Sequence, residues 1–181
     1  MKDLLRALRL LLVLSVLLGV IYPVLVTAVG GAIFPHQVGG SLITKDGQVI
    51  GSRLIAQKFE APKYFHPRPS AIDYKPLPSG GSNQGPTSKA LRDSVAGLKS
   101  TLGASAPNDA LYASGSGLDP EISPANAQFQ IARVVQARAL TPEKTEELKT
   151  LVQSHVRGRD LGFLGEETVN VLELNLALDR M

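Results

Sequence analysis

The sequence predicts an α+β fold in which one N-terminal transmembrane helix precedes a single exported domain with a small β-sheet and about three helices. Three observations lead to this prediction. Residues 10–44 contain no Asp, Glu, Lys or Arg. Asp46-Gly47 separates two apolar segments, as in a β-hairpin. Ser-Pro and Thr-Pro pairs precede two segments with helical periodicity. The expected boundaries are a cytoplasmic N-terminus at 1–9, the transmembrane helix at 10–34 and the exported domain at 35–181.

The transmembrane helix is predicted from length and hydropathy. Twenty-five mostly apolar residues span about 37 Å at ~1.5 Å per residue, enough to cross a ~30 Å hydrocarbon layer with some tilt. Pro23 lies inside this segment, where a membrane helix tolerates a kink. Gly19, Gly30 and Gly31 leave room for the close approach of other helices, so we expect this helix to contact other helices as well as membrane lipid.

The charges that flank the apolar segment predict its orientation. Three basic residues and one acidic residue precede it, and the positive-inside bias then places the N-terminus in the cytoplasm. The domain after the helix is therefore expected outside the cytoplasm. A cleaved signal peptide, with Ala28 or Ala32 at the cleavage site, is the competing interpretation. The apolar stretch exceeds the ~7–15 residues usual in a signal peptide, which favours a retained anchor.

The exported domain is predicted element by element from its periodicity and turn signals. A hairpin turns at Asp46-Gly47, and an irregular loop rich in Pro and Gly follows at 61–86. Further elements are a helix at 87–102, a short strand at 110–113, a helix from Ser123 to about Ala139, a helix from Thr141, and a strand at 170–179. The last segment alternates leucine with other residues, so we expect a strand there, with a helix as the alternative.

The composition argues against several classes of function. The chain has no cysteine, so it has no disulfide and no thiolate metal site. The net charge is +3 but the basic residues are dispersed and only 5% of residues are aromatic, so we expect no nucleic-acid partner. His36, His66 and His155 lack the spacing of a zinc site. No nucleophile elbow or P-loop motif occurs. We therefore expect no catalytic residues, no metal and no cofactor of its own.

One segment has the composition of an anion-binding loop. Ser79-Gly80-Gly81-Ser82-Asn83-Gln84-Gly85 lies just before the helix predicted at 87–102, where exposed backbone amides could hold a phosphate. The alternative, which we prefer, is a glycine loop that packs against its own domain or against a partner.

An ordered series of short motifs resembles the C subunit of the Kdp-type potassium-transporting P-type ATPase over nearly the whole chain. The motifs are Tyr22-Pro23, Phe34-Pro35, Gly40-Ser41-Leu42, Tyr64-Phe65, Arg68-Pro69-Ser70-Ala71, Ser79-Gly80-Gly81-Ser82-Asn83, Gly85-Pro86-Thr87, Ala113-Ser114-Gly115-Ser116-Gly117-Leu118-Asp119-Pro120, Ile122-Ser123-Pro124, Leu161-Gly162-Phe163-Leu164-Gly165-Glu166 and Val169-Asn170-Val171-Leu172.

The resemblance implies a non-catalytic subunit that stabilises the assembly of a potassium-channel-like subunit with a P-type ATPase subunit. ATP and potassium would be handled by the complex. The residues expected to dock partners are Gly19, Tyr22, Pro23, Gly30, Gly31, Phe34, Pro35, Arg68, Ser114 and Ser116.

The resemblance also implies a catalytic-chaperone role that raises the affinity of the ATPase subunit for ATP. Its similarity to an ABC-type signature makes the glycine segment the candidate for nucleotide contact, at Ser79, Gly80, Gly81, Ser82, Asn83 and Gln84. The predicted orientation puts this segment on the opposite side of the membrane from cytoplasmic ATP. We therefore expect any effect on ATP affinity to be indirect, with direct nucleotide binding as the alternative.

Overall fold

The apolar N-terminal sequence forms one continuous helical segment in the computed structural model, which describes residues 2–181. The segment consists of α1 (Lys2–Val16), a π-helical turn (Leu17–Ile21) and α2 (Tyr22–Ile33). Its 32 residues are long and apolar enough to cross a membrane. Met1, the first residue of the predicted 1–9 segment, lies outside the described residues.

The π-helical turn lies immediately before Pro23. Proline has no backbone N–H and disturbs the hydrogen bonding of the preceding helical turn. The backbone N–H of Tyr22 donates to the carbonyl of Leu17, five residues earlier, so the helix is locally widened at this point. The helix therefore continues through Pro23, as expected from the sequence.

A short helix and a β-hairpin follow the long helical segment. They are α3 (Pro35–Val38), β1 (Leu42–Lys45) and β2 (Gln48–Ser52). Asp46 and Gly47 form the turn with φ angles of 52° and 78°, the positive values that a two-residue hairpin turn requires. The hairpin predicted to turn at Asp46-Gly47 is confirmed, and its second strand ends at Ser52. The chain divides into two units, Met1–Ile50 and Gly51–Met181.

The second unit contains five helices and a three-stranded antiparallel sheet among its described residues. The elements are α4 (Lys89–Leu102), α5 (Asn108–Leu111), β3 (Glu121–Ile122), α6 (Pro124–Arg138), α7 (Pro142–Ser154), β4 (Val156–Arg157), β5 (Thr168–Asn170) and α8 (Val171–Leu178). The strand order is β3-β5-β4, with Val169 opposite both Ile122 and Val156. This architecture is α+β, as predicted.

The core of this unit lies between α6, α7, α8 and the sheet, with one aromatic ring supplied by the 61–86 loop. Phe65 is that ring, and it is fully buried. The other buried apolar residues are Ile122, Ala127, Ile131, Val134, Leu148, Val152, Val169, Val171, Leu174 and Leu178. The loop is thus part of the core, and it contains no helix or strand, as expected.

Side-chain caps begin the three longer helices of the second unit. The hydroxyl oxygens of Ser88, Ser123 and Thr141 each accept the backbone N–H of the third residue along the helix. Such caps satisfy N–H groups that have no partner within the helix. The predicted starts at Ser123 and Thr141 are confirmed, and the helix predicted at 87–102 begins at Lys89, one residue after its cap.

Two predicted strands are wrong. Residues 170–179 form the end of β5 and then α8, because the buried residues Val171, Leu174, Asn175 and Leu178 recur at helical spacing. The leucines at 172, 174, 176 and 178 alternate with the period of a strand, and the polar Asn175 obscured the helical spacing of the buried residues. Residues 110–113 were expected to form a strand, but α5 covers part of them.

Candidate functional site

The 61–86 loop is held to the core by a buried amide on α8. The backbone N–H of Phe65 donates to Asn175 Oδ1 at 2.8 Å, and Asn175 Nδ2 donates back to the Phe65 carbonyl at 2.9 Å. Asn175 is 2% exposed. These two bonds satisfy both polar groups of a backbone residue that is removed from water.

A second buried amide, that of Gln130 on α6, forms the same pair of hydrogen bonds with the backbone of the next loop residue, His66. The backbone N–H of His66 donates to Gln130 Oε1 at 2.7 Å, and Gln130 Nε2 donates to the His66 carbonyl at 3.0 Å. Asn126 Oδ1 also accepts a hydrogen bond from Gln130 Nε2, at 2.9 Å, which fixes the orientation of the amide. Two consecutive loop residues are thus clamped between α6 and α8.

Arg133 binds the same part of the loop through its guanidinium group. Arg133 Nη1 donates to the carbonyls of Pro62 and Tyr64 at 2.6 and 2.9 Å. Burial lowers the pKa of Arg133. Burial, and next the charge of Arg133, lower the pKa of His66, which favours a neutral imidazole at pH 7. Within residues 2–181 no group of three His, Asp or Glu side chains is placed to hold a metal ion.

Arg68 connects the loop to the segment around Ser114. Arg68 Nη1 forms an ion pair with Asp119 Oδ2 at 3.1 Å, and the Arg68 carbonyl accepts a hydrogen bond from the Tyr74 hydroxyl at 2.8 Å. Both charged side chains of the pair are about 30% exposed (29% and 31%). Arg68, predicted to dock a partner, therefore makes contacts within its own unit.

The Ser114–Gly117 backbone lies against the same loop, in the segment that carries two predicted docking residues. The backbone N–H of Ser114 donates to the Pro69 carbonyl at 3.1 Å, and Ser114 is buried. Ser70 Oγ donates to the Gly117 carbonyl at 2.7 Å. Ser116 is exposed, and its carbonyl accepts a hydrogen bond from the backbone N–H of Gly80 at 3.0 Å.

The glycine segment 79–85 therefore packs against residues 114–117. A Cβ added to Gly81 would lie 2.6 Å from the Gly115 carbonyl oxygen, and one added to Gly117 would lie 2.9 Å from the Gly80 carbonyl oxygen. Gly117 also has φ +70°, a conformation that side chains disfavour. Only glycine at 81 and 117 allows the two backbones to come this close. The structure thus brings together two motifs that are about 35 residues apart in the sequence.

The exposed end of the glycine segment borders a cavity of about 470 Å³. Ser79, Ser82, Asn83 and Gln84 are exposed, and Gln84 lines the cavity. The other lining residues form a mixed apolar and basic surface: Pro86, Leu91, Arg92, Val95, Ala96, Lys99 and Tyr112.

The predicted docking residues of the first unit lie on the long helical segment or just after it. Tyr22 and Phe34 are more than half exposed, Pro23 follows the π-helical turn, and Pro35 begins α3. A Cβ at Gly19 or Gly31 would meet no atom within 4 Å among the described residues, whereas Gly30 faces the side chain of Val38. Gly19 and Gly31 therefore leave open surface on the helix.

The sequence did not indicate the two amide side chains that clamp the loop. Gln130 lies in a helix of mixed polarity, where nothing distinguishes it from the exposed Gln128. Asn175 did carry a signal, because it is the one amide inside a run of leucines from 172 to 178. A polar residue in such a run is a candidate for a buried hydrogen-bonding role.

Comparisons with known proteins match this chain to one family over almost its entire length. The family model described as "KdpC: K+-transporting ATPase, c chain" matches residues 4–180. A potassium-transporting ATPase KdpC subunit from Bradyrhizobium diazoefficiens is 50% identical over 199 residues, covering 99% of this chain and 98% of the relative. The proteins of the same name from Citrifermentans bemidjiense and Mycobacterium tuberculosis are each 48% identical, covering 99% of this chain and 97% and 99% of the relatives. The chain therefore belongs to the KdpC family.

Proposed function

We propose that this chain is a non-catalytic accessory subunit of a high-affinity, ATP-driven potassium uptake complex. Its role is to stabilise the assembly of a channel-like subunit with a P-type ATPase subunit. The observation that carries the proposal is the KdpC match over residues 4–180 of a chain whose N-terminal helix leaves its apolar surface uncovered. Such a helix needs lipid and neighbouring helices around it.

The helix serves as the first docking element in this proposal. In a membrane, helices associate through close packing of small residues, because lipid tails are as apolar as leucine. Gly19 and Gly31 offer that surface, because a Cβ at either position would meet no atom within 4 Å among the described residues. The first docking contact is therefore expected along α1 and α2.

In this proposal the second unit lies outside the cytoplasm, and its effect on the affinity of the ATPase subunit for ATP is therefore indirect. The glycine segment supports this proposal because its Gly80 N–H already donates to Ser116 and its Gly81 lies against Gly115. These groups serve internal packing. Direct nucleotide binding remains the second candidate function, and the cavity beside Gln84, with Arg92 and Lys99 in its lining, is the observation that favours it.

Omitting this chain should prevent the complex from assembling. When the channel-like and ATPase subunits are expressed without it, a tag on one is expected to recover less than about a tenth of the other that is recovered when all subunits are present. The physical reason is the loss of a shared docking partner in the membrane. The measurement is quantitative immunoblotting after mild detergent extraction. An intact and fully active pump without this chain would contradict the proposal.

A cysteine at Ser82 should react with an impermeant thiol reagent in intact cells. Ser82 is exposed and the chain has no other cysteine, so S82C is a unique and accessible label site. The extracytoplasmic location predicts the same labelling before and after the cells are opened. A second variant, Arg6→Cys on the cytoplasmic flank, should be labelled only after opening. Protection of the residue 82 thiol until opening would instead support nucleotide binding on the cytoplasmic side.

A further inference from the structure

The connection between β4 and β5 carries a small apolar turn that the contacts described above do not use. Residues 160–164 form this apolar turn. The backbone N–H of Asp160 donates to the Leu164 carbonyl at 2.9 Å, and the Leu164 N–H donates to the Asp160 carbonyl at 2.9 Å. Arg157 also pairs with Asp160, at 2.8 Å. The turn is therefore held in one conformation by its own backbone.

The apolar turn presents its large side chains to solvent. Leu161, Phe163 and Leu164 are 82%, 68% and 49% exposed. Three large exposed apolar residues thus lie within four positions, unlike the single exposed apolar residues that are common on protein surfaces. Such a patch normally indicates an interaction site.

The backbone of Leu161 is in the left-handed region, with φ +53°. That conformation is disfavoured for bulky side chains, and glycine or asparagine adopts it more readily. Leu161 is therefore an exposed leucine at a position where asparagine or glycine would make the protein more stable and more soluble. Unfavourable backbone conformations of this kind are concentrated at functional positions.

We infer that the apolar turn inserts into an apolar pocket on another subunit of the potassium-transporting complex. The inference rests on the proposed function and specifies one of its docking surfaces. Phe163 and Leu161 act as the buried anchors of that contact, in the way that a few large side chains dominate most interfaces.

Charge and size favour a protein partner over a lipid surface or a second copy. The turn and its flanks carry Arg157 and Arg159 against Asp160, Glu166 and Glu167, so they lack the cluster of basic residues that binds lipid headgroups. Three side chains are also far fewer than the ~20–30 residues per side that a stable interface requires. They fit best as part of a larger contact between chains already held in one complex.

Photocrosslinking from position 163 in the assembled complex tests this inference. Phe163→p-benzoylphenylalanine keeps a similar aromatic side chain and should form a covalent adduct with another subunit on irradiation in membranes. The matched control is Leu54→p-benzoylphenylalanine, a residue 61% exposed in the same unit, which should give at most a fifth of that adduct. Adducts formed only with phospholipid, only with a second copy of this chain, or no more often than in the control would each overturn the inference.

A double variant separates this inference from the proposed function. L161N combined with F163S removes both anchors, and asparagine suits the left-handed backbone at 161. Recovery of the complex through a tag on this chain should fall at least fivefold, with L54N unchanged. If omitting the chain prevents assembly but the double variant assembles normally, the turn is not a docking site while the proposed function stands. If the complex assembles without the chain, the proposed function fails.

Discussion

Replacing Asn175 with alanine is expected to lower the free energy of unfolding of the second unit by about 3–5 kcal/mol. The substitution leaves both the N–H and the carbonyl of Phe65 without their partners in a buried environment, where each unsatisfied group costs about 1–3 kcal/mol. The measurement is thermal unfolding of the full chain in mild detergent, followed by circular dichroism. We expect the midpoint to fall by on the order of 10 °C.

The control for Asn175→Ala is Gln128→Ala, which removes an exposed amide from α6. A surface change of this kind is expected to alter stability by less than about 0.5 kcal/mol. Gln130→Ala should resemble Asn175→Ala, because it leaves the His66 backbone without its partners. An unfolding midpoint of Asn175→Ala equal to that of the unsubstituted protein would show that the Phe65 backbone does not depend on the amide.

The elements that could be predicted from the sequence are those encoded by a few adjacent residues. Asp46-Gly47 adopts the positive φ angles that these two residue types favour, and Ser123 and Thr141 cap helices whose next residue is proline. The segment after Asn170 could not be assigned in this way. Its leucines alternate as in a strand, whereas the helix places Asn175 against Phe65, a contact between residues 110 positions apart.

In the candidate site, too, the sequence indicates features of short segments but not which distant segments contact each other. The composition of 79–85 predicted a glycine loop that packs against its own domain or against a partner, and 114–117 contains two of the residues predicted to dock a partner. It could not indicate that each segment is the other's partner, because the Gly80 to Ser116 hydrogen bond joins residues 36 positions apart. The pairing of Arg68 with Asp119 likewise depends on how the loop folds back, so no local pattern indicates it, and the docking role of Arg68 stays a prediction. The apolar turn was noted only as a family motif, since exposure cannot be deduced from a run of apolar residues.

Gly81→Ala is expected to destabilise the second unit by about 2–3 kcal/mol and to displace the glycine segment from residues 114–117. The added methyl group would lie 2.6 Å from the Gly115 carbonyl oxygen, a backbone atom that cannot move aside as a flexible side chain would. The measurement is again the thermal unfolding midpoint of the full chain. Release of the segment should also make the S82C thiol of a Gly81→Ala protein react faster with a thiol reagent in detergent.

The control for Gly81→Ala is Gly80→Ala, which distinguishes internal packing from nucleotide binding as the role of the two glycines. A methyl group at Gly80 would meet no atom within 4 Å among the described residues, and Gly80 does not require a positive φ. Gly80→Ala should therefore be as stable as the unsubstituted protein, because the substitution adds no steric overlap. Loops that hold phosphate need close access to the backbone at both glycines. If both substitutions left stability unchanged and both weakened ATP-dependent activity of the complex, nucleotide binding would replace packing as the role of this segment.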